Sequence, residues 1–232
     1  MDEPTVAPPA EPVEVEVKFG VALPELIVEL IEHPDPSRLA GFEPAGEPHV
    51  DLIVDRYLDT GVADGRLFLS GIRARLREAP GGVTLTVKRR GTLAGAITTR
   101  AELEGPATMA LEPGAWPASA ARDLLIAATF GDSLVEIAAL RQRRLVRNLR
   151  RGTTLVELSL DEMDALERGR PVDHRVELEA ELKGGPTAPL DELAAALASI
   201  EGVGPPAGSK LDFALRGARP IMPPRAAPSS EG

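Results

Sequence analysis

Polar and apolar residues alternate with a period of two along much of the chain. The alternating stretches are Val13 to Phe19, Leu52 to Leu58, Gly71 to Glu78, Val83 to Arg90, Ile97 to Glu104, Val135 to Arg147, Thr154 to Asp161 and Arg175 to Leu182. Alternation sends successive side chains to opposite faces, so each stretch is read as a β-strand with one apolar face. Pro80-Gly81-Gly82 supplies a hairpin turn between two of them. Other stretches carry helical signals. Pro24 to Glu32 opens on a proline, Ala118 to Phe130 is rich in Ala and Leu and stops at Gly131, and Leu190 to Ile200 has an apolar stripe that ends before Gly202. Ser209-Lys210-Leu211-Asp212 has the form of a capping box and predicts a last short helix. Many short strands with few helices predict an α+β fold, an antiparallel eight-stranded, tunnel-like β-barrel with flanking helices. Residues 1–12, rich in Pro and acid, are expected to form a disordered tail. Residues 13–217 are expected to form one domain, and the Pro-rich residues 218–232 a disordered tail or linker.

The polar faces of these strands are unusual because they are sorted by sign. Glu14, Glu16 and Lys18 share one face, as do Arg73, Arg75 and Arg77, Lys88 and Arg90, Arg100, Glu102 and Glu104, and Glu177, Glu179 and Glu181. A solvated sheet face would read similarly on any one strand, but it usually mixes signs. The helices also need an apolar sheet face to cover. If they pack outside a barrel, the charged faces point inward, and a barrel of about eight strands has an interior that side chains just fill. Charges buried there need compensation, and metal ions with a polyanion supply it. Carboxylates then hold the metals, while Arg and Lys hold phosphates.

Composition narrows the chemistry. The chain has no Cys and three His, none at metal-ligand spacing, so a metal would be held by oxygen, which favours Mg²⁺ or Mn²⁺. The net charge of −10 argues against broad nucleic-acid binding but leaves room for a local cationic pocket. No segment reaches the roughly 20 apolar residues of a membrane span. The acidic N-terminus lacks a secretory n-region, and the expected location is cytoplasmic. GxxxxGK[ST] is absent, so a P-loop is not the phosphate grip.

Glu14-Val15-Glu16-Val17-Lys18 resembles the ExExK motif of the CYTH superfamily, also called triphosphate tunnel metalloenzymes. The resemblance runs from about Val13 to Gly217. Arg75-Leu76-Arg77 followed by Lys88 resembles the family's RxR hairpin with its inward lysine. Arg100-Ala101-Glu102-Leu103-Glu104 resembles the RxExE strand, and Glu177-Leu178-Glu179-Ala180-Glu181 the late ExE strand. Arg141 and Arg143 stand where the family has a basic pair, Asp161 resembles the acid of its LD segment, and Ser209-Lys210 its terminal SK. The usual Arg-Gly close appears only as Arg216-Gly217, and Arg73 exceeds the usual pair.

The resemblance implies hydrolysis of a triphosphate, with inorganic tripolyphosphate as the first substrate, as in bacterial inorganic triphosphatases. It implies metal ligation by Glu14, Glu16, Glu177 and Glu179, with a second ion near Glu16, Glu104 and Asp161. Lys18, Arg75, Arg77, Lys88, Arg141, Arg143 and Lys210 are expected to contact phosphate, and Glu16 to help deprotonate the attacking water beside Lys18. Arg144, Arg147, Arg150 and Arg151 are expected outside or in loops, Tyr57 and Asp59 as structural support, and Trp116 in packing. Class IV adenylyl cyclisation, thiamine triphosphate hydrolysis and a non-catalytic polyphosphate-binding module are the alternatives. One Trp and one Tyr offer little for a base pocket, which favours tripolyphosphate over ATP.

Overall fold

The computed structural model describes residues 12–61 and 65–217. Apart from Pro12, both expected tails lie outside the described residues. In chain order the first elements are β1 (Val13–Val21), α1 (Pro24–Glu32), β2 (Glu43–Pro44), β3 (His49–Asp59), α2 (Arg66–Leu69), β4 (Arg73–Ala79), β5 (Gly82–Lys88), β6 (Thr92–Ala94) and β7 (Ile97–Ala107). They are followed by α3 (Ala120–Thr129), β8 (Val135–Arg151), β9 (Thr154–Glu167), β10 (Arg170–Gly184), α4 (Ala188–Ala198), β11 (Val203–Gly204) and α5 (Lys210–Gly217).

Eight strands close on themselves in the order β1, β10, β9, β8, β3, β4, β5, β7, with β7 pairing back to β1 and every neighbour antiparallel. This is the expected eight-stranded barrel. The short β2, β6 and β11 attach to β8, β7 and β1. Closure leaves the barrel strands without a free edge, and one face of each strand must line the lumen.

The apolar faces point outward. Val17, Phe19, Leu158, Leu160, Leu178 and Ala180 form one cluster with Ile27, Leu30 and Ile31 of α1 and Leu190, Leu193 and Leu197 of α4. Leu76, Leu85 and Val87 form a second with Trp116 and with Ala121 and Leu125 of α3. Ser119 caps α3 by accepting from Arg122 N, and it lies so close to Gly105 of β7 that a Cβ there would meet its Oγ at 2.3 Å. Only glycine lets α3 approach this strand. Trp116 packs as expected and donates through Nε1 to the carbonyl of Ala110.

A third cluster lies at the apolar end of the lumen. Leu211, Phe213 and Ala214 of α5 pack on Tyr57, Ala138, Leu140, Met163 and Ala165. The predicted capping box opens α5: Ser209 Oγ donates to Asp212 Oδ2 at 2.7 Å and accepts from Asp212 N at 3.1 Å. Helix α2 has no counterpart in the sequence pattern, since four residues are too few to show a period. It is set by Asp59, whose carboxylate accepts from the N–H groups of Leu67 and Phe68, and by Thr60 Oγ1, which accepts from Arg66 N. No helix among the described residues is long and apolar enough to cross a membrane.

Phe213 is 2% exposed and anchors α5 in the barrel. Phe213→Ala is expected to cost about 3–5 kcal/mol, the range for emptying a packed aromatic site. The shift of the urea unfolding midpoint measures it, and a loss below about 1 kcal/mol would show that α5 is not anchored there.

Candidate functional site

The inward faces build a charged cavity of about 1780 Å³. Glu14, Glu16 and Lys18 enter it from β1, Arg73, Arg75 and Arg77 from β4, Lys88 from β5, Arg100, Glu102 and Glu104 from β7, Glu179 and Glu181 from β10, and Lys210 from the start of α5. Alternation alone delivers them, because each occupies the parity opposite to its strand's apolar, helix-covered face.

The charges neutralise one another across strands. Glu14 accepts from Lys88 Nζ at 2.7 Å and Arg100 Nε at 2.5 Å, and Arg100 Nη2 reaches Glu16 Oε1 at 2.5 Å. Lys18 Nζ lies 3.0 Å from Glu16 and 2.6 Å from Glu179. Lys210 bonds Asp161 and stands 3.1 Å from Glu179, while Arg144 Nε donates to Asp161 Oδ1 at 2.8 Å. Burial opposes ionisation of Glu14, but Lys88 and Arg100 overcome it and hold the carboxyl well below the usual range. Burial likewise works against the Lys18 ammonium, and Glu179 and Glu16 more than restore it, raising its pKa. Lys88 goes the other way: burial, with Arg75 beside it, lowers its pKa. Glu177 is raised by burial and by Glu179. Both its carboxylate oxygens are buried without a hydrogen bond, and Arg175 Nη2 is 2.9 Å away but off the hydrogen-bond line.

Asp55 is a buried residue of the site that the sequence pattern did not single out. It is fully buried, and its two oxygens accept from Arg75 Nη1 at 3.1 Å, Arg77 Nε and Nη2 at 2.8 Å and Gln142 Nε2 at 2.5 Å. With its oxygens so engaged, Asp55 aims the two arginines of β4. The available signal was that Asp51, Asp55 and Asp59 stand four residues apart and share one face of β3.

Two expected phosphate contacts are corrected. Arg141 and Arg143 lie on the outer face of β8, paired with Asp164 at 2.6 Å and Glu162 at 3.2 Å, and their side chains are 57% and 45% exposed. Leu145 and Leu149, which pack outward, share their parity, so strand alternation carries both arginines outward. Arg144, expected outside, has the inward parity and belongs to the lumen. Arg147 packs outside, as expected, donating to the carbonyls of Ile31 and Glu32 at the end of α1. The second metal set is also not gathered. Glu104 bonds Thr86 Oγ1 at 3.0 Å, whereas Asp161 is held by Arg144 and Lys210 in register with Glu177.

The donors fit a hard divalent cation in kind, because they are carboxylate oxygens on adjacent strands. Among the described residues no three acidic or histidine side chains are already clustered to hold an ion. Each of Glu14, Glu16 and Glu179 instead holds Lys or Arg.

Burial works against ionised Asp55, but Arg75 and Arg77 overcome it and depress its pKa, so its stabilisation is complete above the unfolded value near 3.9 and fades as pH falls below it. Asp55→Asn is therefore expected to lose about 3–5 kcal/mol at pH 7, as when one partner of a buried pair is removed. The gap between variant and wild type should narrow below about pH 4. Denaturant titrations from pH 7 to pH 3 test this, and a constant gap across the range would refute it.

No protein-family model matches the chain, and no curated protein matches it. Solved structures do. HpAC1 from Hippeastrum, an adenylyl cyclase candidate described as having a dominant triphosphatase activity, is 18% identical, with a TM-score of 0.65 over 89% of this chain and 97% of its own. An adenylate cyclase candidate from Bacillus halodurans is also 18% identical, with a TM-score of 0.56 over 87% and 97%. The chain shares the fold of these proteins, an antiparallel eight-stranded barrel with its charged residues inside and its helices outside, as the CYTH resemblance implied.

Proposed function

We propose that this protein hydrolyses triphosphates inside the barrel with Mg²⁺ or Mn²⁺, inorganic tripolyphosphate being the smallest substrate that satisfies the lumen. The observation that carries this reading is the cross-neutralised lattice of Glu14, Glu16 and Glu179 with Lys18, Lys88 and Arg100. Each of these carboxylates is held by a cation that suits phosphate equally well. A triphosphate entering the lumen takes the hydrogen bonds of Lys18, Lys88, Arg100, Arg75 and Lys210, and Glu14, Glu16 and Glu179 are released as an oxygen donor set. The buried oxygens of Glu177, without hydrogen bonds, extend that set. A bound divalent ion would supply charge neutralisation and a more acidic water. The triphosphatase activity described for HpAC1 on the same fold supports the reaction class.

In the proposed reaction the water oxygen attacks the terminal phosphorus, the bond from that phosphorus to its bridging oxygen breaks, and the water proton passes to Glu16. The products from tripolyphosphate are phosphate and diphosphate. Glu16, 2% exposed on the lumen face of β1, is freed for this role when the triphosphate takes over its partners Lys18 and Arg100. Arg75 and Arg77, held by Asp55, meet phosphate as preorganised donors, so little reorganisation is needed as charge shifts to the leaving oxygen. The charged form of Lys88 is disfavoured by burial and by Arg75, and a polyanion relieves that cost. The same reading places the protein in the cytoplasm, supported by the lack of cysteine.

Phosphate release from tripolyphosphate should stop in excess chelator and return with Mg²⁺ or Mn²⁺. Arg100→Ala should lower kcat by about 100–1,000-fold, the range for removing one preorganised donor. Undiminished turnover in chelator would overturn the reading. Tripolyphosphate with metal should also raise the melting temperature by mass action, and Lys88→Ala should weaken that shift. An unchanged shift in Lys88→Ala would show that the lumen does not hold the phosphates.

A further inference from the structure

The helices leave part of the barrel's outer face bare. Leu145, Leu160 and Leu178 form a row across β8, β9 and β10, and all three are buried with the apolar residues of α1 and α4. Among the described residues the next two rows along these strands have no helix over them. A groove of about 460 Å³ lies there instead, lined by β3, β8, β9, β10 and the end of β4 with the turn after it. Leu52 of β3 is 64% exposed beside it.

Strand register fixes the order of side chains across this face. In the first bare row Leu52, Arg143, Glu162 and Val176 stand side by side on β3, β8, β9 and β10. The second row runs Val54, Arg141, Asp164 and His174 on the same strands. Arg143 pairs with Glu162 at 3.2 Å and Arg141 with Asp164 at 2.6 Å. Exposed pairs of this kind add little stability within one chain. Their order is more informative. The first row reads apolar, cation, anion, apolar, and the second repeats its central cation and anion. Reversed, that order is its own electrostatic complement.

We infer that this face joins a second copy of the chain across a two-fold axis lying in the interface, parallel to the strands and between β8 and β9. Such an axis lays β8 over β9 of the copy and β3 over β10 of the copy. Arg143 then meets Glu162 of the copy, Arg141 meets Asp164 of the copy, and Leu52 meets Val176 of the copy. Each charge pair stacks head to tail on its counterpart and forms a square of alternating sign, the arrangement that a self-complementary interface requires. An axis at right angles to the strands would instead set Arg143 against Arg141 of the copy. The sign order therefore selects the first arrangement, and it needs no partner of another sequence.

Sedimentation equilibrium at micromolar concentration tests the inference. Wild type should give twice the 24.5 kDa of one chain. Leu52→Asp should give the mass of one chain with an unchanged circular dichroism spectrum, because Leu52 points away from the lumen. Arg143→Glu should also separate the copies, and adding Glu162→Arg to the same chain should rejoin them, since the reversed row still complements itself. A partner of different sequence would not accept that reversal. The chain has no Cys, so introduced thiols report the axis directly. Leu52 and Val176 of one chain are three strand spacings apart, about 14 Å, too far for a disulfide. A mixture of Leu52→Cys and Val176→Cys chains should cross-link on oxidation, and neither variant should do so alone. A single-chain mass for wild type, a dimer that Leu52→Asp leaves intact, a charge reversal that does not rejoin the copies, or mixed cysteine variants that fail to link would each overturn the interface.

Discussion

The structure depends on charge held inside a closed barrel. Once α1, α3 and α4 take the apolar faces of the strands, the polar faces have nowhere to go but the lumen, and an isolated ion there would be costly. The lattice answers this by pairing interior carboxylates with interior cations on other strands, as Glu14 does with Lys88 and Arg100 and as Glu179 does with Lys18. Two of the three apolar clusters therefore lie outside the barrel, between sheet and helices, while α5 plugs one end of the lumen and the rest of the interior is ionic.

Under the proposed function, the lattice lets a strongly acidic chain receive a polyanion. The net charge of −10 belongs to the whole molecule, while the lumen is locally balanced. Balance by pairing is reversible in a way that apolar packing is not, because every pair contains one group that suits phosphate and one that suits a hard cation. Ligand and metal can replace the internal partners without leaving a charge bare. Asp55 stands apart from this exchange. Its oxygens are already engaged by Arg75, Arg77 and Gln142, so it keeps its two arginines aimed whether or not a ligand is present.

The plug formed by α5 gives the cavity a direction. At one side α5 fills the lumen with Leu211, Phe213 and Ala214 while delivering Lys210 from its first turn. Elsewhere α2 and the β5–β6 segment present the apolar side chains of Phe68, Leu69 and Leu93.

The eight strands, their inward residues Glu14, Glu16, Lys18, Arg75, Arg77, Lys88 and Glu179, and the capped start of α5 were all legible in the sequence. Alternation is a local property, and a period of two assigns faces without knowledge of the partner strand. What the alternation meant was less local. Arg141-Gln142-Arg143-Arg144 has cations on both parities, and only the packing of Leu145 and Leu149 against α1 and α4 decided that Arg144 faces in while Arg141 and Arg143 face out. The service of Asp55 to two arginines depends on β3 lying beside both β4 and β8, a pairing set by barrel closure. Helix α2 carries no period of its own and exists because Asp59 accepts its first N–H groups. The sequence by itself determined which side chains share a face. The tertiary structure decided which face was inside and which opposite charges met there, because closure and helix packing act between segments far apart in the chain.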